Sequence, residues 1–238
     1  FDSTITYKIG RAIAQHLKAN LIVVGRDARQ SSPDLAKALI SGITDYGSNV
    51  YDIGLSGTEE MYWAVTEFKA CAGVEVTASH NPIDYNGLKF VKSGSRPLDP
   101  KEDFQKIKNL IKYNNWTPAH SAGSVEDVSM LARAAYVNKV LSFVDLLKLK
   151  TYKIIVNSGN GAAGPTFDAI ANVLKKKGLQ IEFIRMNHIP DCTFPNGIPN
   201  PLLVENHKPM KQMVLNHNAD FGIAFDGDFD RCFFFDEV

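Results

Sequence analysis

Three cysteines in 238 residues, Cys71, Cys192 and Cys232, are odd in number and widely separated. They make neither a disulfide framework nor a CxxC metal spacing, and they fit a reducing cytosol best. Charge of one sign is also missing. The 26 basic residues balance 26 acidic ones, which removes the positive field of a nucleic-acid binder or a membrane-surface protein. Long apolar runs are absent as well. The longest uncharged ones, such as Leu21–Val24 and Cys232–Phe235, are strand-sized, far short of the roughly 18 residues a spanning helix needs. No secretory h-region opens the chain, so the sequon Asn115-Trp116-Thr117 reads as a chance match. These absences describe a soluble, cytoplasmic protein with no nucleic-acid partner and no membrane segment. They set no oligomeric state.

The composition that remains, 45% hydrophobic and 22% charged, is that of a globular chain rather than a disordered one. At about 150 residues per domain the length allows one large domain or two small ones. The chain opens on Phe1 without a Met and stops at Val238 just after an apolar run, so a piece of something longer is expected.

Helix-period and strand-like segments alternate, the pattern of an α/β layer structure. Ile5, Ile9, Ala12, Ile13, His16 and Leu17 share one helical face, and Leu21–Val24 is a short apolar run typical of a strand covered on both sides. Ser32-Pro33 signals a helix start and Gly47 its end. Residues 50–53, 73–76 and 88–91 read as strands, and 59–68 and 100–113 as helices. Residues 114–125 are polar and aperiodic, which suits a linker and sets the expected domain boundary at 124/125. The scheme then repeats. Helices are expected at 130–147, 165–176 and 207–216, with strands at 153–156, 180–184 and 221–225. Two consecutive α/β domains, 1–124 and 125–238, are the resulting fold class.

Asp226-Gly227-Asp228-Phe229-Asp230-Arg231 sets three carboxylates at alternate positions directly after an apolar strand. Hard oxygen ligands this dense repel one another unless a cation sits among them, so a Mg²⁺ or Ca²⁺ site is expected. The run lies between two apolar stretches, which makes it a tight turn at a sheet end rather than a solvated charge cluster. An EF-hand loop would require Gly where Arg231 stands and helices on both sides. A phosphatase of the haloacid dehalogenase type would want Thr or Val where Asp230 stands. Both readings fail.

The second motif, Thr77-Ala78-Ser79-His80-Asn81-Pro82, follows a strand and precedes the turn Asn86-Gly87 and then Lys89. Ser79 thus lies on an irregular loop at a strand's end, either as a reactive group or as part of a plain polar turn. On an extended backbone neighbouring side chains point opposite ways, so His80 is not expected to serve Ser79 as a base by adjacency, and a Ser-His-Asp hydrolase is not supported. A third motif, Gly159-Asn160-Gly161-Ala162-Ala163-Gly164, matches the dinucleotide fingerprint in its strand-to-helix context. The acidic residue that should hold the ribose is missing after the next strand, and a tight structural turn accounts for it better.

Taken together, Ser79-His80-Asn81-Pro82 and Asp226–Arg231 resemble the α-D-phosphohexomutase family, and the resemblance covers the whole chain. Gly25-Arg26-Asp27-Ala28-Arg29 and Asn157–Gly161 are further family features, and 56–60 with 194–201 resemble the bacterial phosphomannomutase branch of the GDP-mannose pathway. The resemblance implies two three-layer α/β/α domains with mixed sheets, family domains I and II, the third and fourth domains being absent. It implies an intramolecular phosphotransferase that interconverts hexose 6-phosphate and hexose 1-phosphate through a bound hexose 1,6-bisphosphate. Ser79 would carry the phosphoryl group, and Asp226, Asp228, Asp230 and an oxygen on Ser79 would hold Mg²⁺. His80, Lys89 and Arg231 match active-site positions, His80 for proton transfer or positioning and the two cations for electrostatics. Mannose phosphates are the expected substrates, with phosphoglucomutase and phosphoglucosamine mutase as neighbouring readings and a non-catalytic phosphosugar- or metal-binding module as one of another class. Without the family's sugar- and phosphate-gripping domains, the chain alone is expected to turn over little or nothing.

Overall fold

The computed structural model describes residues 1–236, and their contacts fall into two compact units. The first holds residues 1–26, 30–77 and 86–132, and the second holds 27–29, 78–85 and 133 onward.

The first unit runs α1 (Ser3–Leu17), β1 (Leu21–Arg26), α2 (Ser32–Tyr46), β2 (Asn49–Leu55), α3 (Thr58–Glu67), β3 (Ala72–Val76), β4 (Leu88–Lys92), β5 (Arg96–Pro97), α4 (Asp103–Tyr113) and β6 (Val125–Asp127). Among the described residues its sheet has six strands in the order β5-β4-β3-β1-β2-β6. The strands β2 and β3 flank β1 in parallel, β6 extends the parallel set, and β4 and β5 add antiparallel strands at the far edge. Ile22, Val23 and Val24 are fully buried because β1 is covered on both faces. Ile22 and Val24 pack with Ala12, Ile13, Leu39 and Ile43 of α1 and α2, whereas Val23 packs with Met61, Ala64 and Val65 of α3. Full burial of such a side chain is worth about 1.5–3 kcal/mol, which explains why this apolar run forms the sheet centre.

The second unit repeats the three layers with β7 (Tyr152–Asn157), α6 (Ala163–Lys176), β8 (Ile181–Met186), α7 (His207–His217), β9 (Phe221–Phe225) and β10 (Cys232–Phe235). Among the described residues this sheet has four strands in the order β10-β9-β7-β8, parallel except for the β9–β10 hairpin. Ile154 and Val156 face Phe167 and Ala171 of α6. Ile155 faces Met210 and Val214 of α7.

The segment 114–125 is not a free linker. Trp116 packs against the first core, and β6 pairs with β2 through Val50, Tyr51 and Asp52. The contacts therefore divide the chain between residues 132 and 133, inside helix α5 (Ser129–Leu141), and not at 124/125. That helix ends at Leu141 rather than at the expected residue 147, and a separate short turn, Leu146–Lys148, starts where the Asp145 carboxylate accepts from the Leu147 amide. At the start of α2 the cap position is Ser31 rather than Ser32. No helix among the described residues is long and apolar enough to cross a membrane.

Candidate active site

The loop Ala78–Tyr85 leaves β3 and belongs to the second unit. Ser79 takes a left-handed backbone conformation, φ 53°, which costs a non-glycine residue roughly 1–2 kcal/mol and turns its side chain out of the strand direction. Its Oγ donates to Asp226 Oδ2 at 2.7 Å and lies 3.3 Å from His80 Nδ1. The expectation that His80 points away from Ser79 thus fails, because it assumed extended backbone.

Arg29 holds this loop from below. Its side chain is 1% exposed, and its two terminal nitrogens donate to the main-chain oxygens of Ser79, Asn81, Pro82, Ile83 and Tyr85 at 2.5–3.3 Å. Asp27 Oδ2 pairs with its Nε at 3.4 Å, and Phe194 lies 5.9 Å beneath the guanidinium. Burial pulls the Arg29 pKa below its ordinary value, while the charges of Asp27 and Asp228 pull the other way. A buried cation that satisfies this many carbonyls fixes a loop which otherwise lacks regular hydrogen bonding.

The carboxylate run closes the β9–β10 hairpin. Asp226 and Asp228 are fully buried, and one ligand oxygen from each of Asp226, Asp228 and Asp230 lies within 4.8 Å of the others. Burial, with the Asp228 charge second, pushes the Asp226 carboxyl up to about 6. Arg231 threads the cluster. Its Nη2 lies 2.6 Å from Asp226 Oδ2 and 2.5 Å from His80 Nδ1, and it also donates to Ser79 Oγ. Its Nε pairs with Asp230 Oδ1 at 3.3 Å. Because a guanidinium only donates, His80 Nδ1 is an acceptor here. The donor set suits a hard divalent cation: three carboxylates and a hydroxyl, all oxygen, crowded enough to raise a pKa and already drawing in one cation. Asp226, Asp228, Asp230 and Ser79 are the residues that would hold it.

Glycines allow the approach. A Cβ on Gly227 would lie 2.5 Å from the Ser79 carbonyl oxygen, and one on Gly161 would lie 2.7 Å from the Gly227 oxygen. Ala162 N donates to Gly227 O at 3.1 Å. The Gly159–Gly164 turn therefore buttresses the carboxylate loop through Gly161 and Ala162, whereas a Cβ on Gly159 would meet Pro199 and one on Gly164 the His188 carbonyl oxygen.

Lys89 sits on β4 in the first unit, where its ammonium donates to Thr58 Oγ1 at 3.1 Å. Ser79, His80, Asp226, Asp228, Asp230 and Arg231 all lie in the second unit.

Residues 1–117 match the family model described as phosphoglucomutase/phosphomannomutase, alpha/beta/alpha domain I, and residues 134–238 match domain II of the same family. The chain belongs to the phosphoglucomutase/phosphomannomutase family. It is 48% identical over 238 residues to a phosphomannomutase of Salmonella montevideo, covering 99% of this chain and 52% of that protein. It is 46% identical over 237 residues to a phosphohexose mutase of Xanthomonas campestris, covering 100% of this chain and 51% of that one. A crystal structure of a phosphoglucomutase/phosphomannomutase family protein from Burkholderia thailandensis aligns with a TM-score of 0.86 and 28% identity, over 100% of this chain and 51% of that one. The chain spans about half the length of the curated relatives it matches.

Two features of this family member escape sequence reading. Arg29 was visible only as part of a loop motif, because its partners are backbone atoms some fifty positions away. A Ser-His-Asp array also exists elsewhere. Ser158 Oγ lies 3.2 Å from His188 Nδ1, and His188 Nε2 lies 2.9 Å from Asp168 Oδ2. Ser158 is 0% exposed, so no substrate reaches it, and the array ties the Gly159–Gly164 turn to α6 as a structural clamp.

Proposed function

We propose that this chain is the phosphoserine and metal half of a phosphomannomutase, and that Ser79 carries the phosphoryl group between the 6- and 1-positions of mannose phosphate. The observation that supports it most is the Ser79 hydroxyl 2.7 Å from Asp226 within a cluster of three carboxylates. The names of relatives 46–48% identical favour mannose phosphates. On this reading the protein is cytoplasmic, serves GDP-mannose synthesis and takes a hexose 1,6-bisphosphate as its activating phosphoryl donor.

In the forward half-reaction a sugar hydroxyl attacks the phosphorus of phospho-Ser79. The new P–O bond forms as the Ser79 Oγ–P bond breaks, and the sugar proton ends on the departing serine oxygen. After the bisphosphate turns round, Ser79 Oγ attacks its other phosphorus as the bond from that phosphorus to the sugar oxygen breaks, and the serine proton passes to the departing sugar oxygen, with His80 Nδ1, 3.3 Å from Ser79 Oγ, as its relay. Arg231, which reaches Ser79 Oγ, Asp226 and Asp230, offsets negative charge on the phosphoryl oxygens, and Lys89 is assigned the same role on the substrate side. Mg²⁺ held by Asp226, Asp228, Asp230 and a phosphoserine oxygen would neutralise charge as the phosphoryl group transfers.

The test uses a full-length protein that carries this chain, assayed for conversion of mannose 1-phosphate to mannose 6-phosphate. Ser79→Ala should abolish turnover while Mg²⁺ binding to the carboxylates persists. Full turnover by that variant overturns the reading. The isolated 238-residue chain should show little or no steady-state turnover.

A further inference from the structure

The second unit contains a cavity of about 190 Å³ that neither the serine loop nor the carboxylate loop uses. Its lining includes Asn157, Asn187, Asn196, Asn200 and Asn206 and, among the described residues, no Asp, Glu, Lys, Arg or His. A carboxamide offers one acceptor and two donors, and each of four is engaged by the protein at one end. Asn157 Oδ1 and Asn200 Oδ1 accept from the amides of Gly159 and Leu202. Asn196 Nδ2 and Asn206 Nδ2 donate to Asn160 Oδ1 and the Asn200 carbonyl. The opposite ends, two donor NH₂ groups and two acceptor oxygens, together with the whole Asn187 carboxamide, are left for a ligand among the described residues.

The remaining walls are apolar and include Phe225, Phe235 and Pro199. Donors and acceptors together in a ring-sized space with apolar walls suit a molecule that has hydroxyls on its edge and C–H groups on its faces. An apolar ligand would leave the carboxamides unpaired at a cost, and a phosphate would find no cation. The volume is that of about six water molecules, enough for one monosaccharide ring. We infer that this cavity binds an unphosphorylated monosaccharide or a ring polyol of the same size, at a site separate from Ser79. The inference does not depend on the mutase reading. Because the lining residue Phe225 directly precedes Asp226 and the lining residue Gly159 belongs to the turn that buttresses Gly227, occupancy would bear on the carboxylate loop.

The chain labelled with ¹³C at methionine methyls gives a local readout, since Met186 and Met210 line the cavity and Met61 and Met130 belong to the first unit. Titration with D-mannose, D-glucose or myo-inositol should shift Met186 and Met210 saturably, with millimolar affinity, and leave Met61 and Met130 in place. Asn187→Gly removes a carboxamide at a position whose φ of 45° suits glycine, and should weaken binding about tenfold, the equivalent of one hydrogen bond. Ser79→Ala should leave the titration unchanged. Three results would overturn the inference: no saturable shift with any of the three polyols in the unsubstituted chain, equal affinity in both Asn187→Gly and Asn206→Leu, or loss of the shift in Ser79→Ala.

Discussion

Arg29 reaches the Ser79 loop through the backbone of the serine itself: its Nη2 donates to the Ser79 carbonyl oxygen at 3.0 Å. The remaining bonds to Asn81, Pro82, Ile83 and Tyr85 make one buried cation the organiser of the whole loop. Arg29→Gln leaves Asp27 without its cation and several carbonyls unsatisfied. Loss of one member of a buried pair costs about 3–5 kcal/mol, so thermal unfolding of the second unit should begin several degrees lower. Arg29→Lys should recover only part of the loss, because an ammonium has three donors and no planar fork.

Gly227 lets the serine and carboxylate loops approach closer than any side chain would allow. Gly227→Ala puts a methyl 2.5 Å from the Ser79 carbonyl oxygen, a backbone contact that cannot swing aside. The expected destabilisation is about 1–3 kcal/mol, read by chemical denaturation. A larger effect is expected on Mg²⁺ affinity measured by calorimetry.

Divalent cation should stabilise the fold. At a hundredfold excess over its dissociation constant Mg²⁺ should add about 2.7 kcal/mol, lost in Asp228→Asn. Chelator should return the unsubstituted protein to its metal-free unfolding midpoint, as read by differential scanning fluorimetry.

Much of this site was legible in the sequence. Three carboxylates at alternate positions between two apolar strands point to a cation among them, and a serine after a buried strand and before Asn-Pro lies on an irregular loop. What the sequence hid is geometry that local patterns do not encode. The left-handed backbone at Ser79 brings His80 alongside it, and a serine gives no hint of such a conformation. The Gly159–Gly164 turn was readable as a tight turn, but its use as a buttress depends on a partner loop more than sixty positions later. The aperiodic stretch around Trp116 reads as a linker because its packing and the short pairing of β6 with β2 leave no periodicity to find.

Acid should weaken the first unit through Asp103. Hydrogen bonding to His16 at 2.8 Å, a hydrogen bond donated by the Asp99 backbone N–H and pairing with Lys92 at 3.0 Å hold its carboxyl well below the ordinary value of 3.8. A depressed carboxylate contributes stability above its unfolded pKa, and the contribution drains away as pH falls below about 4. Asp103→Asn should therefore unfold more easily at neutral pH and show a flatter loss of stability between pH 4 and pH 2, followed by circular dichroism.

The central claim, that Ser79 is the phosphoryl carrier, is tested most directly by intact-protein mass spectrometry with peptide mapping, before and after a full-length protein bearing this chain is incubated with a hexose 1,6-bisphosphate and Mg²⁺. The account predicts a gain of one phosphate on the peptide containing Ser79, absent in Ser79→Ala. A phosphate on any other residue, or an unmodified Ser79 in protein that turns over substrate, would contradict it.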